Sequence, residues 1–254
     1  MSAVSRTLSV HQEHELLTKL EAAGLLSEDA QRIIQSRSNT LAKRVVDFIR
    51  RGGYTASTDE RLARLIMGTN FLGIEEASRH FGVSFTQKQT RELAEIPFTE
   101  AELEAVKETH VLVACYPMSI LEIREAAPKL FYQSQYVWYD SDDFADEKAK
   151  LGWLLVRKDI VPGSTDKTWD EQQAMLAENE ETPRAVELIY SLILYALATG
   201  ERLMPNVYAR TTTVHSGGYH VYVGGFGAFG LRVGSTWDDD RWDGLGVSSA
   251  RKSN

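Results

Sequence analysis

Two histidines, His215 and His220, flank the pair Gly217–Gly218, and three consecutive aspartates, Asp238–Asp240, follow them. A glycine pair favours a hairpin turn, so the two imidazoles are expected to lie opposite each other on neighbouring strands. Paired imidazoles with nearby carboxylates form a ligand set that zinc and similar ions accept. The spacing therefore admits a metal-dependent enzyme, although a pair of surface histidines explains the same residues without a metal.

The stretch GGFGAFG, residues 224–230, contains the spacing G-x-G-x-x-G of dinucleotide-binding turns. Such a turn needs a helix directly after the glycines and an acidic residue about 20 positions further on. Here the following LRVGSTW is strand-like, and only 24 residues remain after Gly230. The glycines are therefore interpreted as serving tight turns and close packing of strands.

A faint helix-turn-helix pattern begins at Glu75 in EEASRHFGVSFTQKQTREL, with Gly82 at the turn and Lys88 and Arg91 on the second helix. The formal net charge of −8 argues against nucleic acid as a partner, because proteins that bind it concentrate Lys and Arg on one face. Two short core helices explain the pattern equally simply.

The elements that must position these residues follow an α+β pattern. Residues 8–68 have helical periodicity, with Ser27 and either Ser57 or Thr58 as expected N-caps. TPRAVELIYSLILYALATG predicts a buried helix that Thr182 caps and Gly200 ends. HVLVACYPMSI, which holds the single cysteine Cys115 as a buried thiol, and KLGWLLVRKDIVP predict strands.

The segment RTTTVHSGGYHVYVGGFGAFGLRVGSTW predicts a three-stranded meander with turns at Gly217–Gly218 and Gly227–Ala228. This register places Tyr222 opposite Val233 and His220 opposite His215.

Residue types are distributed unevenly along the chain. The sequence holds 22 Glu, 10 Lys, 9 Gln and 5 Met, yet none of these lies between Pro205 and Arg251. Turn-rich β structure disfavours Glu and Lys, but it does not remove all four types together. Mutation of the adenines in an AAC or AAT codon yields Tyr, His, Ser, Thr, Gly, Asp and others, and never Glu, Lys, Gln or Met. The remaining composition is also that of an antibody-like binding surface.

On these residues the tail VYVGGFGAFGLRVGSTWDDDRWDGLGVSSARK resembles the variable region of proteins diversified by diversity-generating retroelements. The resemblance covers about the last 45 residues. It implies an α+β, C-type-lectin-like domain over residues 70–254, with a variable region at about 208–247, and a helical N-terminal region over residues 1–69. It also implies a binding protein without catalysis.

Two sets of residues follow from the resemblance. The scaffold set is Val221, Val223, Gly224, Gly230, Leu231, Val233, Trp237, Leu245, Gly246 and Val247. The variable, ligand-binding set is Thr211, Thr212, Thr213, His215, Tyr219, His220, Tyr222, Phe229, Arg232, Ser235, Thr236, Asp239, Asp240 and Trp242.

The leading expectation is a display protein that binds a macromolecular target, expected to be a protein, with no cofactor and no metal. The alternatives are an enzyme of the formylglycine-generating or metal-dependent type, built on His215, His220 and Asp238–Asp240, and a helix-turn-helix regulator. No signal peptide or membrane span is recognised in the sequence, so a cytoplasmic location is the default expectation, with display on a virion or a surface as the alternative.

Overall fold

The computed structural model describes residues 8–50, 58–134 and 137–251. The chain divides into two compact units, Met1–Gly53 and Tyr54–Asn254. None of the described helices is long and apolar enough to cross a membrane.

The first unit is helical. It contains α1 (Val10–Ala22), α2 (Ser27–Ile34), a 3-10 turn (Arg37–Asn39) and α3 (Thr40–Arg50). Ser27 is the first residue of α2 and not its N-cap, because Leu26 takes that position and its N–H donates to the Asp29 carboxylate at 3.2 Å. No residue of α1 or α2 is buried.

The second unit mixes helices and strands in a way that is compatible with the expected α+β class. Its helices are α4 (Thr58–Met67), α5 (Ile74–Phe81), α6 (Gln87–Glu92), α7 (Glu100–Val106), α8 (Ile120–Ala126), α9 (Asp143–Asp146), α10 (Trp169–Gln173) and α11 (Ala185–Thr199). Its strands are β1 (Phe71–Leu72), β2 (His110–Cys115), β3 (Gly152–Arg157), β4 (Glu180–Glu181), β5 (Tyr208–Val214), β6 (His220–Gly227), β7 (Gly230–Thr236), β8 (Leu245–Val247) and β9 (Ala250–Arg251).

Helix α4 packs against α7 and β1 of this larger unit, although its residues fall within the helical region 1–69 expected from the sequence. Thr58 is its first residue, and the other expected cap, Ser57, lies outside the described residues.

One sheet has the strand order β1-β2-β3-β9-β4 and is buried on both faces around β2. Val111 and Val113 join one apolar cluster, whereas Leu112 and Ala114 join another. Because both faces are covered, the strand has a continuous apolar sequence without the alternation of a half-exposed strand. Cys115 ends this strand as a buried thiol, and burial raises its pKa.

Helix α11 lies in the core and contacts both sheets. It ends at Gly200 in the left-handed conformation, as predicted. Its start differs from the prediction, because the N-cap is Arg184 and not Thr182. The N–H of Ala185 donates to the Thr213 hydroxyl at 2.9 Å. A side chain of β5 therefore caps the start of the helix, where a cap from the neighbouring Thr182 was expected.

The second sheet has the order β7-β6-β5-β8, in which β5 to β7 form the predicted meander and β8 runs parallel to β5. The predicted turn at Gly227–Ala228 is wrong by one residue, because Gly227 pairs with Gly230 across Ala228–Phe229. Together with a β-bulge further along β6, this turn places Tyr222 opposite Gly234 and not Val233. The register shifts between Gly224 and Gly227, where a β-bulge adds a residue to β6.

The predicted register of β5 and β6 is also wrong by one residue. His220 pairs with Val214 and not with His215. The loop contains three residues, 216–218, because the His215 N–H donates to the Tyr219 carbonyl and Gly218 takes a φ of +85°. A three-residue loop with a left-handed glycine is a common hairpin connection.

Candidate functional site

The centre of the candidate site is a fully buried arginine on β5, Arg210. Its Nη1 atom donates to the Lys167 carbonyl at 3.0 Å and to Gln172 Oε1 at 3.1 Å. Its Nη2 atom donates to the carbonyl oxygen atoms of Trp237 at 2.9 Å and Asp240 at 2.7 Å. Burial lowers the pKa of the guanidinium, and the nearby aspartates, Asp238–Asp240, oppose this shift. The Arg210 side chain therefore holds the loop after β7 through main-chain carbonyl groups of that loop.

Further main-chain hydrogen bonds hold the same loop, residues 237–244. The N–H of Trp169 donates to the carbonyl of Asp238 at 2.8 Å, and the N–H of Tyr208 donates to that of Gly244 at 2.8 Å. Every residue type has the carbonyl that these contacts use. The path of the loop is therefore fixed by atoms that a side-chain substitution leaves in place.

Asp240 is an exception within this loop. Its carboxylate accepts hydrogen bonds from the buried Thr236 hydroxyl and, at 3.2 Å, from the Trp237 N–H. The side chain closes the local turn, so Asp240 has a structural role in addition to the display role expected from the sequence.

The fourteen residues of the expected variable set differ in exposure. The side chains of Thr211 and Thr236 are buried, and burial is incompatible with contact to a ligand. Phe229 is 78% exposed at the tip of the β6–β7 turn. The other exposed residues are Thr212, Arg232 and Asp239, and the half-buried ones are Thr213, His215, Tyr219, His220, Tyr222, Ser235, Asp240 and Trp242.

A first aromatic group surrounds the β5–β6 loop. His215 stacks on Tyr219 with ring centroids 4.9 Å apart, and Trp237 meets Tyr219 edge-on at 4.0 Å. Trp138, from outside the expected variable region, contacts His215 at 5.4 Å. Trp237 was expected to belong to the scaffold, but its side chain is 58% exposed. The resemblance placed it in the scaffold, and its exposure contradicts that assignment.

The two histidines do not form one centre. His220 stacks on Trp169 at 3.8 Å, and its Nδ1 atom lies 2.6 Å from Asp238 Oδ1. His215 has a different carboxylate, Asp142, at 3.7 Å. In the described parts of the chain no group of three or more His, Cys, Asp or Glu residues could hold a metal ion. The arrangement therefore offers two separate His–Asp pairs, each beside an aromatic ring.

Another aromatic group borders a cavity of about 290 Å³, here called the aromatic cavity. Tyr208 and Tyr222 meet edge-on at 5.3 Å, and Trp242 meets Tyr222 at 5.7 Å. The residues that line the cavity are Tyr132, Ser134, Val137, Trp138, Tyr139, Tyr208, Tyr222, Leu231, Arg232 and Val233.

Sequence reasoning missed Tyr132, Trp138 and Trp169 as members of this surface. They lie 51 or more positions before the residues of the meander that they contact, and no local motif marks them. Their aromatic character was visible in the sequence, but their position beside the meander depends on the tertiary fold.

The helix-turn-helix pattern corresponds to α5 and α6, which are separated by Gly82 in the left-handed conformation. Phe81 of α5 is buried and packs against Tyr190 of α11 at 4.9 Å. The expected recognition helix has six residues, and its Lys88 lies 3.7 Å from Glu92. Helix α5 is thus a core element, as the simpler interpretation predicted, but α6 has no buried residue, so the prediction of a second core helix is wrong.

Comparison with known proteins gives no relative: no protein-family model, no curated protein and no solved structure matches the chain. The class that the fold defines is a mixed α+β protein with two mixed sheets.

Proposed function

We propose that this chain is a binding protein without catalysis, whose C-terminal strands and loops display interchangeable side chains to a macromolecular target. The observation that carries the proposal is the attachment of residues 237–244 through main-chain carbonyls, led by the bonds of Arg210 to Trp237 and Asp240. A loop held in this way keeps its path when its exposed side chains change.

The chemistry of the displayed residues supports binding over catalysis. Tyrosine, histidine and tryptophan supply large rigid contact areas at low conformational cost, and Thr, Ser and Asp supply adaptable hydrogen bonds. The region is free of Glu, Lys, Gln and Met, all of which occur elsewhere in the chain. The absence of these four types, together with the presence of Tyr, His, Ser, Thr and Asp, is expected of a surface whose composition is set by adenine-directed mutation of AAC or AAT codons.

We propose further that the larger unit is C-type-lectin-like and that a retroelement diversifies its C-terminal region. The positions open to diversification are those of the variable set that are not buried, with Asp240 held constant for its turn. Thr211 and Thr236 are removed from the set because both are buried.

The test is the sequence of the gene and its neighbourhood. We expect a near-duplicate repeat of the 3′ end close to a reverse-transcriptase gene, differing from this gene at adenines. The differences should fall in codons for exposed or half-buried residues such as Phe229 and Asp239, and not in codons for Val221 or Val223, which are buried. Absence of such a repeat, or differences spread over all bases, would refute the retroelement proposal.

A further inference from the structure

The aromatic cavity has walls that are fixed before any ligand arrives. Trp138 Nε1 donates to the Val233 carbonyl at 2.9 Å, which holds the indole against β7. Tyr222 lies across Gly234, where a Cβ atom would come within 2.3 Å of the phenol ring. Tyr208 lies across Gly225 in the same way, at 2.7 Å from the position of a Cβ atom. Tyrosine rings that pack directly on glycine residues are already ordered, so they lose little conformational entropy when a ligand binds.

The hydroxyl groups of Tyr208 and Tyr222 supply the cavity with polar contacts. Among the described residues, none forms a hydrogen bond with the hydroxyl of Tyr208 or Tyr222. Burial raises the pKa of Tyr222, so this hydroxyl keeps its proton and remains a donor. Two aromatic walls therefore carry unused hydrogen-bond donors.

Arg232 gives the cavity its charge. It is the charged residue among the described residues that line the cavity, and its guanidinium carbon lies 4.5 Å from the ring centroid of Tyr132. No described carboxylate lies within ion-pair distance of Arg232. A guanidinium held against a ring presents a planar pair of donors that matches a carboxylate.

We propose that the aromatic cavity binds an aromatic ring that carries a carboxylate on a short linker, with the ring packed against Tyr208 and Tyr222, which line the cavity, and the carboxylate on Arg232. The volume of about 290 Å³ lies at the lower end of the range for small-molecule sites, which suits one ring. This inference rests on the proposed function, in which the cavity is the subsite for an acidic aromatic group of the target.

The experiment uses phenylacetate as the probe and protonated phenethylamine as a probe of similar shape and opposite charge, each titrated into the full chain by isothermal calorimetry. We expect phenylacetate to bind at least about tenfold more tightly, because only the anion pairs with the guanidinium. Equal affinity for the two probes would overturn the inference. So would the absence of phenylacetate binding at 20 mM, which is on the order of the weakest dissociation constant expected for such a contact.

The variant Arg232→Gln keeps a polar side chain on an exposed strand position and removes the charge. We expect it to weaken phenylacetate binding roughly tenfold, whereas the matched control Arg241→Gln, an exposed arginine 3.2 Å from Glu171, leaves the affinity unchanged. The variant Arg232→Lys keeps the charge and loses the planar pair of donors, so it should weaken phenylacetate binding by less than about tenfold. If Arg232→Gln does not fold, the affinity of Arg232→Lys tests the inference alone. Unchanged affinity in every Arg232 variant that folds contradicts the inference.

The two proposals fail in different ways. A missing template repeat refutes diversification and leaves the binding of phenylacetate as expected. Absence of phenylacetate binding in a chain whose gene has the repeat refutes only the assignment of the cavity.

Discussion

The Nη2 atom of Arg210 donates a 2.7 Å hydrogen bond to the carbonyl oxygen of Asp240, thirty positions further along the chain. The same guanidinium reaches three other acceptors, and its side chain is fully buried. Burial of such a charge is costly unless hydrogen bonds compensate it, and here both Nη atoms are bonded whereas the buried Nε has no partner. The bond joins the core of the second sheet to the loop that carries the candidate binding residues.

Removal of this guanidinium should be costly. We predict that Arg210→Met lowers the free energy of unfolding by about 3 kcal/mol or more, because four acceptors lose their donor inside the protein. Urea denaturation of the variant and of the control Arg241→Met, at an exposed arginine, measures the difference. A loss below about 1 kcal/mol in Arg210→Met would show that the loop is held by other contacts.

Exposed side chains of the loop should be interchangeable. We predict that the double variant Asp239→Ser, Arg241→Ser changes the free energy of unfolding by less than about 1 kcal/mol. Asp240→Ser should cost about 1–3 kcal/mol, because the buried Thr236 hydroxyl loses its acceptor. The same denaturation measurement compares the two. Equal losses of unfolding free energy in the two variants would contradict the view that main-chain contacts and the Asp240 side chain fix the loop.

The glycines of GGFGAFG are not equivalent. Gly230 has a φ of +97°, and a Cβ atom there would lie 2.5 Å from the carbonyl carbon of Phe131. We predict that Gly230→Ala destabilises the protein by about 3 kcal/mol or more, because backbone atoms must move. At Gly227 the nearest atom would be 3.6 Å away, so Gly227→Ala should cost less than about 1 kcal/mol. Thermal unfolding of both variants tests this order, and the reverse order would disprove it.

Acid should destabilise the fold through His110. This side chain is buried on β2, its Nε2 atom has no hydrogen-bond partner, and burial lowers its pKa from 6.5 to about 4, with a smaller effect of Arg157 and Arg251. The folded state therefore favours the neutral imidazole. The contribution of the neutral His110 to the free energy of unfolding is fully present above pH 6.5 and is lost as the pH falls towards 4.

The measurement is urea denaturation at pH 7.5 and at pH 4.5. We predict that the native chain loses about 2 kcal/mol more than His110→Leu between these values, because the variant has no imidazole to protonate. The other histidines and the carboxylates are common to both chains, so their contributions cancel. Parallel losses in the two chains would show that His110 is protonated as easily in the folded state as in the unfolded one.

Much of the secondary structure could be predicted because its causes are local. The left-handed Gly200 and the apolar run from His110 each act within a few residues. The hairpin registers were wrong by one residue because loop length and a β-bulge decide them. The bulge includes Gly225, whose N–H donates to the Val207 carbonyl, and Val207 is outside the hairpin itself.

The candidate site could be predicted only in part, for the same reason. Composition alone indicated the segment that would face a ligand, and Tyr219, Tyr222 and Arg232 lie at its surface or half-buried within it. Composition could not show that Thr211 and Thr236 point into the protein, because alternation along a strand depends on register.

The amino-acid sequence by itself determined the elements, the α+β class and the unusual composition of residues 205–251, since these depend on neighbours in the chain and on side-chain chemistry. The tertiary structure alone decided that Arg210 holds the loop, that His215 and His220 have separate carboxylates, and that Trp138 and Tyr132 complete a cavity beside Tyr222. These relations join residues that are far apart in the chain, and only packing against a common core brings such residues into contact.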